Sequence, residues 1–456
     1  MQNASNDMNW IDTTIGEICD KTGGSVQTGP FGSDLHASDY ELVGTPVIMP
    51  ANLRKNGIVE DGIARVSKEH VVRLQNHQVF PGDIVFPRRG DVARYVVIDS
   101  RYAGWLCGTG CLRIRFDKND IVDSIYLGYW LGTPTVEHWL LGNAVGTTMP
   151  NLNTSILKAL PVPLPPLAEQ KAIAEILGSL DDKIEANRRM NETLEATARA
   201  IFKSWFVDFD PVHAKSNGEQ PYGMDAETAA LFPDSFEDSE LGPIPRGWRI
   251  VPIGDHVKAN RGLSYKGKHL EDSPEDGLPM HNLNSINEWG TYKFDGIKFY
   301  SGEYKKRHEV RPGDLIVANT EQGFGLLLIA SPALVPSVFG EKGIISHHVY
   351  KVEIKRNSPL TRLFLYYRIM LWPFRNLLQG YTNGTTVNML PPDAFEKPTF
   401  VMPPAELMKR FDALVSPMLE QTEHNYVESN TLAETRDALL PKLVSGEIRV
   451  EGGKIW

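Results

Sequence analysis

The sequence predicts an α+β fold in which two pseudo-symmetric mixed α/β regions are separated by a pair of long antiparallel coiled-coil helices. Three observations predict it: a single internal repeat at constant offset, two heptad runs of the same phase, and a turn-then-strand signature in both halves. The 456-residue chain repeats Trp10, Ile15 and Gly16 as Trp248, Ile253 and Gly254, each 238 positions later. The same offset relates Gly146-Thr147-Thr148 to Gly384-Thr385-Thr386, Pro165-Pro166 to Pro403-Pro404, and Asn187, Leu194 and Ala200 to Asn425, Leu432 and Ala438. A two-fold repeat presents two similar surfaces at a set separation, so function is to be sought in the duplication.

The helices come from the strongest pattern. After Pro166, Ile173, Leu177, Leu180, Ile184, Asn187, Asn191, Leu194, Ala198, Ile201 and Trp205 follow 4,3 spacing, the seam of a coiled coil. Adding the offset gives Phe411, Val415, Met418, Thr422, Asn425, Ser429, Leu432, Arg436, Leu439 and Leu443, a second seam in the same phase. Both turn polar midway, and a buried polar layer lowers stability while fixing register. The proline pair before each run marks a helix start. At 1.5 Å per residue, about 40 residues span about 60 Å. Each globular region feeds the N-terminal end of its own helix, so antiparallel pairing keeps the links short and sets the polar centres opposite each other.

The globular regions are predicted at 1–160 and 246–400, with helices at 161–206 and 401–456 and an acidic connector at 207–245. Val79-Phe80-Pro81-Gly82-Asp83-Ile84-Val85 and Val310-Arg311-Pro312-Gly313-Asp314-Leu315-Ile316 share a Pro-Gly turn leading into a β-branched strand. Their offset is 231, so a seven-residue length change precedes them and is reversed before Gly384. Residues 207–245 lack periodicity and are rich in Asp, Glu, Pro and Gly, which predicts a solvated segment.

Charge separates by region. The net charge of −10 by itself argues against nucleic acid. Yet residues 207–245 hold 1 basic and 9 acidic groups, whereas 246–400 hold 20 and 15, so a phosphate-binding footprint is local to the second region. No run of eighteen apolar residues and no apolar leader is present, so a cytoplasmic protein is expected. Cys19, Cys107 and Cys111 form no even framework and no two-pair metal set, so no metal and no cofactor is expected. Nor is there an Asn/Asp-Pro-Pro-Tyr/Phe motif, a Gly-rich S-adenosylmethionine loop or a Walker loop, so no catalytic centre is expected. Gly323-Phe324-Gly325 is read as a hairpin, Asp393 with Glu396 and Lys397 as a solvated loop, and His347-His348 as strand neighbours on opposite faces, structural or close to a bound duplex.

Leu164-Pro165-Pro166-Leu167-Ala168-Glu169-Gln170, the run from Ser204 to Val212, Gly242 to Trp248, and Leu440 to Ile448 resemble the conserved stretches of type I restriction-modification specificity subunits. Thr28-Gly29-Pro30-Phe31-Gly32-Ser33, with Asp39-Tyr40, does so too. The resemblance spans essentially the whole chain. It implies a non-catalytic subunit with two target-recognition domains that read the halves of a bipartite duplex-DNA site. It also implies partners: two methyltransferase subunits and two restriction-translocase subunits. A coiled-coil scaffold that binds only proteins is the alternative, favoured by the acidic total.

The duplication offers a criterion for DNA contacts. Features present in both halves serve the scaffold, and domains that read different sequences differ where they touch bases. After the shared strand the first half carries Arg88, Arg89 and Arg94, and the second carries Asn319, Thr320, Glu321 and Gln322. Arginine pairs bidentately with guanine, Asn or Gln with adenine. Arg261, Tyr265, Lys266 and Lys268 form a basic loop with an aromatic residue, suited to phosphate. Thr147, Thr148, Thr385 and Thr386 occur in both halves and are assigned to turn formation or phosphate contact.

Overall fold

The computed structural model describes residues 10–54, 57–118, 120–146, 149–323, 325–384, 387–451 and 454–455. The chain forms two compact units, one of residues up to 185 with 430 onward, the other of residues 186–429. The long helices Leu167–Phe206 and Ala405–Val444, each 40 residues, run through both boundaries.

In the first unit, strands Ser25–Thr28, Cys111–Arg115, Ile84–Pro87 and Val96–Val97 lie side by side in that order, all antiparallel. A second sheet sets Arg65–Val66, Thr45–Ile48 and Leu106–Cys107 together, the last pair parallel. Helices Ile15–Thr22, Ser124–Leu131, Pro134–Asn143 and Thr154–Ala159 pack around them. Local chemistry places the first of these. Thr14 and Glu17 close a capping box at its start, and Gly23, at φ 77°, ends it in the left-handed conformation that glycine adopts without a Cβ penalty.

The second unit repeats this plan. Strands Val257–Arg261, Val349–Ile354, Leu315–Ala318 and Pro332–Leu334 form the four-stranded antiparallel sheet, and Leu278–His281 with Gly343–Ile345 supplies the parallel pair of the second sheet. Register is repeated as well. Ile11 faces Leu164 and Arg249 faces Met402, both partners displaced by 238. Ile84 faces Ile114 and Leu315 faces Val352, where one displacement is 231 and the other 238. The seven-residue change is thus absorbed outside the strands.

The long helices pair antiparallel within each unit. In the second, Phe202 packs edge-on against Phe411 at 5.4 Å while Asn187 reaches Ser429. In the first, Asp181 pairs with Arg436 at 2.6 Å, and Ile173 and Leu177 cluster with Leu443 and Val444. Ascending numbers on one helix meet descending numbers on the other. All the seam positions are buried or half-buried, from Ile173, Leu177, Leu180 and Ile184 through Leu194, Ile201 and Trp205, and from Phe411, Val415 and Met418 through Leu432, Leu439 and Leu443. Pro417 sits inside the second helix on its exposed side, as does Ala413, whose carbonyl loses its intrahelical donor there and faces water instead.

The central polar layer is two-fold symmetric in its bonds. Asn187 Nδ2 donates to Ser429 Oγ at 3.3 Å, and Asn425 Nδ2 donates to Asn191 Oδ1 at 2.7 Å. Adding 238 to 187 and 191 gives 425 and 429, so these are one interaction made twice. Asn187 and Asn425 are each only 2% exposed.

One expectation is corrected. Residues 207–245 are not a solvated connector: helices Asp210–Ser216 and Ala226–Ala230 form there, and Phe236–Glu237 pairs with Ile244–Pro245. Phe232 and Val212 are buried in one core with Trp205 and Trp248, and Phe209 and Phe236 pack against it. The acidic composition is real, but its few aromatic residues fold back onto an apolar surface already built. Among the described residues no helix is long and apolar enough to cross a membrane. The three cysteines are buried free thiols, and burial pushes Cys107 up to about 12 and Cys19 up to about 11.

Candidate nucleic-acid interface

In each unit the site begins where the Pro-Gly-Asp strand leaves the sheet. Arg89 forms an antiparallel bridge with Asn151, and Val145 forms another with Asn151. In the second unit Thr320 faces Met389 in the ribbon of Thr320–Gln322 and Val387–Met389, and Asn383 bridges Met389. These are equivalent positions, so a small ribbon is built from the same backbone twice and dressed with different side chains. Thr147, Thr148, Thr385 and Thr386 lie outside the described residues, as does Phe324.

A glycine holds the neighbouring loop. A Cβ on Gly29 would stand 2.0 Å from the Gly108 carbonyl oxygen, and one on Gly262 would stand 2.3 Å from that of Ser346, 238 residues further on. No side chain fits there, which accounts for a glycine at both positions. Beyond it the loops diverge. The first carries Phe31, 60% exposed, with its main-chain N–H bonded to Asp34. The second carries Tyr265, Lys266 and Lys268, both lysines exposed.

The structure brings several of the sequence-predicted residues of the second unit together. Arg261 is exposed; its Nε donates to the His347 carbonyl at 3.1 Å and its guanidinium lies 3.3 Å from Met389 Sδ. The Tyr265 ring lies 6.0 Å from that of His347. Gln322 is exposed at the end of the ribbon. Arg261 therefore flanks the ribbon that presents Gln322, with Tyr265 beside the adjoining His347 turn.

Asn319 and Thr320 are corrected. Asn319 is fully buried, its Nδ2 donating to the His347 carbonyl at 3.1 Å, and Thr320 is 3% exposed with its hydroxyl 2.8 Å from His348 Nδ1. Asn319 lies between the strands Leu315–Ala318 and Thr320–Gln322, and both side chains turn onto the His347-His348 turn, so neither reaches a surface. Glu321 is also occupied: its carboxylate accepts from the main-chain N–H groups of Leu327, Leu328 and Ile329. In the first unit Arg94 is half-buried, paired with Asp91 at 2.9 Å and donating to the Leu53 carbonyl. Arg88 is half-buried with its backbone bonded to Gly110 and Leu152, while Arg89 is exposed.

His347 and His348 depart from the strand reading. They occupy a turn between Gly343–Ile345 and Val349–Ile354, and their rings lie 3.7 Å apart on one side. Burial, followed by the His347 charge and then that of Arg261, keeps His348 below the usual imidazole range; burial does the same for His347. Both are neutral at pH 7, each ring offering one donor and one acceptor. Sequence reasoning read this pair as structural or close to a bound duplex, on opposite faces of a strand. The signal that finds it is the unmatched turn, since the first unit has Thr109-Gly110 at the equivalent place.

A family model described as the type I restriction modification DNA specificity domain matches residues 8–196. The chain is 27% identical over 415 residues to the type I restriction enzyme HindI specificity subunit of Haemophilus influenzae, covering 80% of this chain and 86% of that protein. It is 27% identical over 389 residues to the type I restriction enzyme MjaIX specificity subunit of Methanocaldococcus jannaschii, covering 84% and 82%. Among solved structures, the crystal structure of a type I restriction-modification system S subunit from M. genitalium shares the fold, with a TM-score of 0.58 at 15% identity over 97% of this chain and 98% of that one.

Proposed function

We propose that the chain is a specificity subunit of a type I restriction-modification system, whose two units each read one half of a bipartite duplex-DNA site with the paired long helices as the ruler, a reading that the family model over residues 8–196 and the two relatives support. One observation carries the reading: equivalent ribbons, paired at Arg89 with Asn151 and at Thr320 with Met389, rest on one repeated scaffold, and their exposed side chains differ, Arg89 in the first and Gln322 and Met389 in the second. A scaffold that bound one protein partner twice would repeat its contact residues, whereas two readers of different sequences must vary them.

Arg89 in the first unit and Gln322 in the second are assigned to base edges, and Arg261, Lys266 and Lys268 to phosphates, with Tyr265 packed beside them. Helices of about 60 Å accommodate half-sites separated by one turn of B-DNA, about 34 Å. The subunit supplies recognition and no chemistry of its own. Methyl transfer and cleavage belong to partners, two methyltransferase and two restriction-translocase subunits, assembled in the cytoplasm.

The test is methyl transfer from labelled S-adenosylmethionine by the complex with its methyltransferase partner, followed by mapping of the modified bases. Replacing residues 246–400 by the same region of another specificity subunit changes one half-site and leaves the other intact. Simultaneous change of both half-sites would contradict modular reading.

A further inference from the structure

Two turns in this chain share a scaffold and share no side chain. In the first unit Gly108 N–H donates to the Ile48 carbonyl, Cys111 N–H to that of Gly108, and Gly29 N–H to that of Cys111. In the second, Ser346 donates to His281, Val349 to Ser346, and Gly262 to Val349, the same three bonds at the repeat positions. A fourth bond also recurs: Arg88 N–H donates to the Gly110 carbonyl, and Asn319 N–H to that of His348. Between these fixed points lie Thr109-Gly110 in one unit and His347-His348 in the other.

By the criterion that matched features hold the fold and unmatched ones read, this turn belongs to the reading surface. We propose that His347 is a base-contacting, specificity-determining residue of the second unit, addressing a base edge of duplex DNA, and that His348 and Thr320 are positioning residues for it. The inference rests on the reading of the chain as a DNA-recognition subunit and adds a residue to it. Thr320, buried, meets His348 Nδ1 at 2.8 Å and fixes that ring. His348 in turn packs against His347, with 3.7 Å between ring centroids and the planes tilted by 41°. The Arg261 guanidinium is anchored on the His347 carbonyl, which sets a phosphate-seeking cation beside the ring. His347 Nδ1 has no hydrogen-bond partner among the described residues. With Nδ1 itself buried, the half-buried neutral ring, packed against His348 and flanked by a cation, offers its Nε2 to a purine or pyrimidine edge at little entropic cost.

The experiment is a preference profile of the complex with its methyltransferase partner, measured by methylation of a randomised duplex library, for the wild type, His347→Ala, His348→Ala and Thr320→Val. His347→Ala is expected to lose about tenfold or more of its discrimination at one base position of one half-site, with the other half-site unchanged. His348→Ala and Thr320→Val should relax the same position to a smaller degree, and His348→Asn, which retains an acceptor for the Thr320 hydroxyl, should restore part of it. A merely structural role would spread the loss over the whole half-site. An unaltered profile in His347→Ala, or weakening uniform across all sequences, would overturn the assignment while leaving the DNA-recognition reading intact. Absence of any sequence preference in the wild type would overturn both.

Discussion

Replacing the central asparagines of the paired helices separates stability from register. Asn187 Nδ2 donates to Glu428 Oε2 at 2.8 Å, to Ser429 Oγ at 3.3 Å and to the Asn425 carbonyl at 3.4 Å, and Asn425 Nδ2 donates to Asn191 Oδ1 at 2.7 Å. Asn425 Oδ1 also accepts from Gln421. Each amide thus makes about two effective bonds in a buried seam, and at about 1 kcal/mol net per bond either alanine variant should lose about 2–3 kcal/mol, including the partial desolvation of partners left behind. The double variant Asn187→Leu with Asn425→Leu loses the same bonds but buries two leucines, each contributing about 1.5–3 kcal/mol. Its stability should therefore lie within about 1 kcal/mol of wild type or above it, even though both polar partners are gone. The bonds that distinguish one register from its neighbours are gone too. Urea unfolding reports the first effect; methylation of duplexes whose spacer is varied one base pair at a time reports the second, where the double variant should accept spacers that the wild type rejects. Alanine variants losing under about 0.5 kcal/mol, or a double-leucine variant with undiminished spacer discrimination, would refute the claim that this layer sets the ruler.

Three further outcomes follow from individual contacts. Arg449 holds the 6%-exposed Glu169 carboxylate through bonds of 2.6 and 3.0 Å, so Arg449→Ala should destabilise the first unit by about 3 kcal/mol in urea unfolding, and adding Glu169→Leu should recover most of it. Asp412 on the second long helix accepts from the Thr361 hydroxyl, and burial pushes its carboxyl up from 3.8 to about 6. Because the folded value is the higher one, ionisation destabilises the fold as pH rises from about 4 through 6; Asp412→Asn should raise Tm over wild type at pH 7.5 and match it near pH 4, and a pH-independent difference would refute this. Gly29→Ala places a Cβ against a main-chain oxygen that cannot move without its strand, so it should lower stability of the first unit by about 2–3 kcal/mol in the same denaturation assay, whereas Gly32→Ala, with open space around it, should not.

The long helices were legible because a seam has a period, and ten positions of consistent spacing in each helix outweigh any single residue. Antiparallel pairing followed from connectivity alone. The strand after each Pro-Gly-Asp was legible for the same reason, a turn residue at fixed distance from a β-branched run. Residues 207–245 were misread because composition averages over position: nine acids conceal that Phe209, Phe232 and Phe236 lie where a neighbouring aromatic core, with Trp205 and Trp248, takes them up. Asn319 and Thr320 were misassigned because a comparison of two halves shows that residues differ without showing which way they point, and a strand sends alternate side chains to opposite faces. His347 and His348 were misplaced because strand and turn cannot be told apart at a Ser-His-His-Val step, where neither glycine nor proline marks the break.

The separation of scaffold from side chain explains how one architecture can read two sequences. Four main-chain bonds at the first turn recur at the repeat positions of the second, with lengths of 2.7 to 3.2 Å, and Gly29 and Gly262 allow the backbones to approach where any Cβ would collide. Backbone bonds do not depend on the identity of the residue between them. The turn of the second unit can therefore exchange its imidazoles, as that of the first has Thr109-Gly110, without altering the sheets on which it rests. Stability resides in matched contacts such as Ile84 with Ile114 and Leu315 with Val352, and the proposed reading puts recognition in the unmatched positions beyond them. Substitutions at Arg89, Gln322 and Lys268, which are exposed, should on this logic move specificity or affinity while leaving the unfolding transition in place.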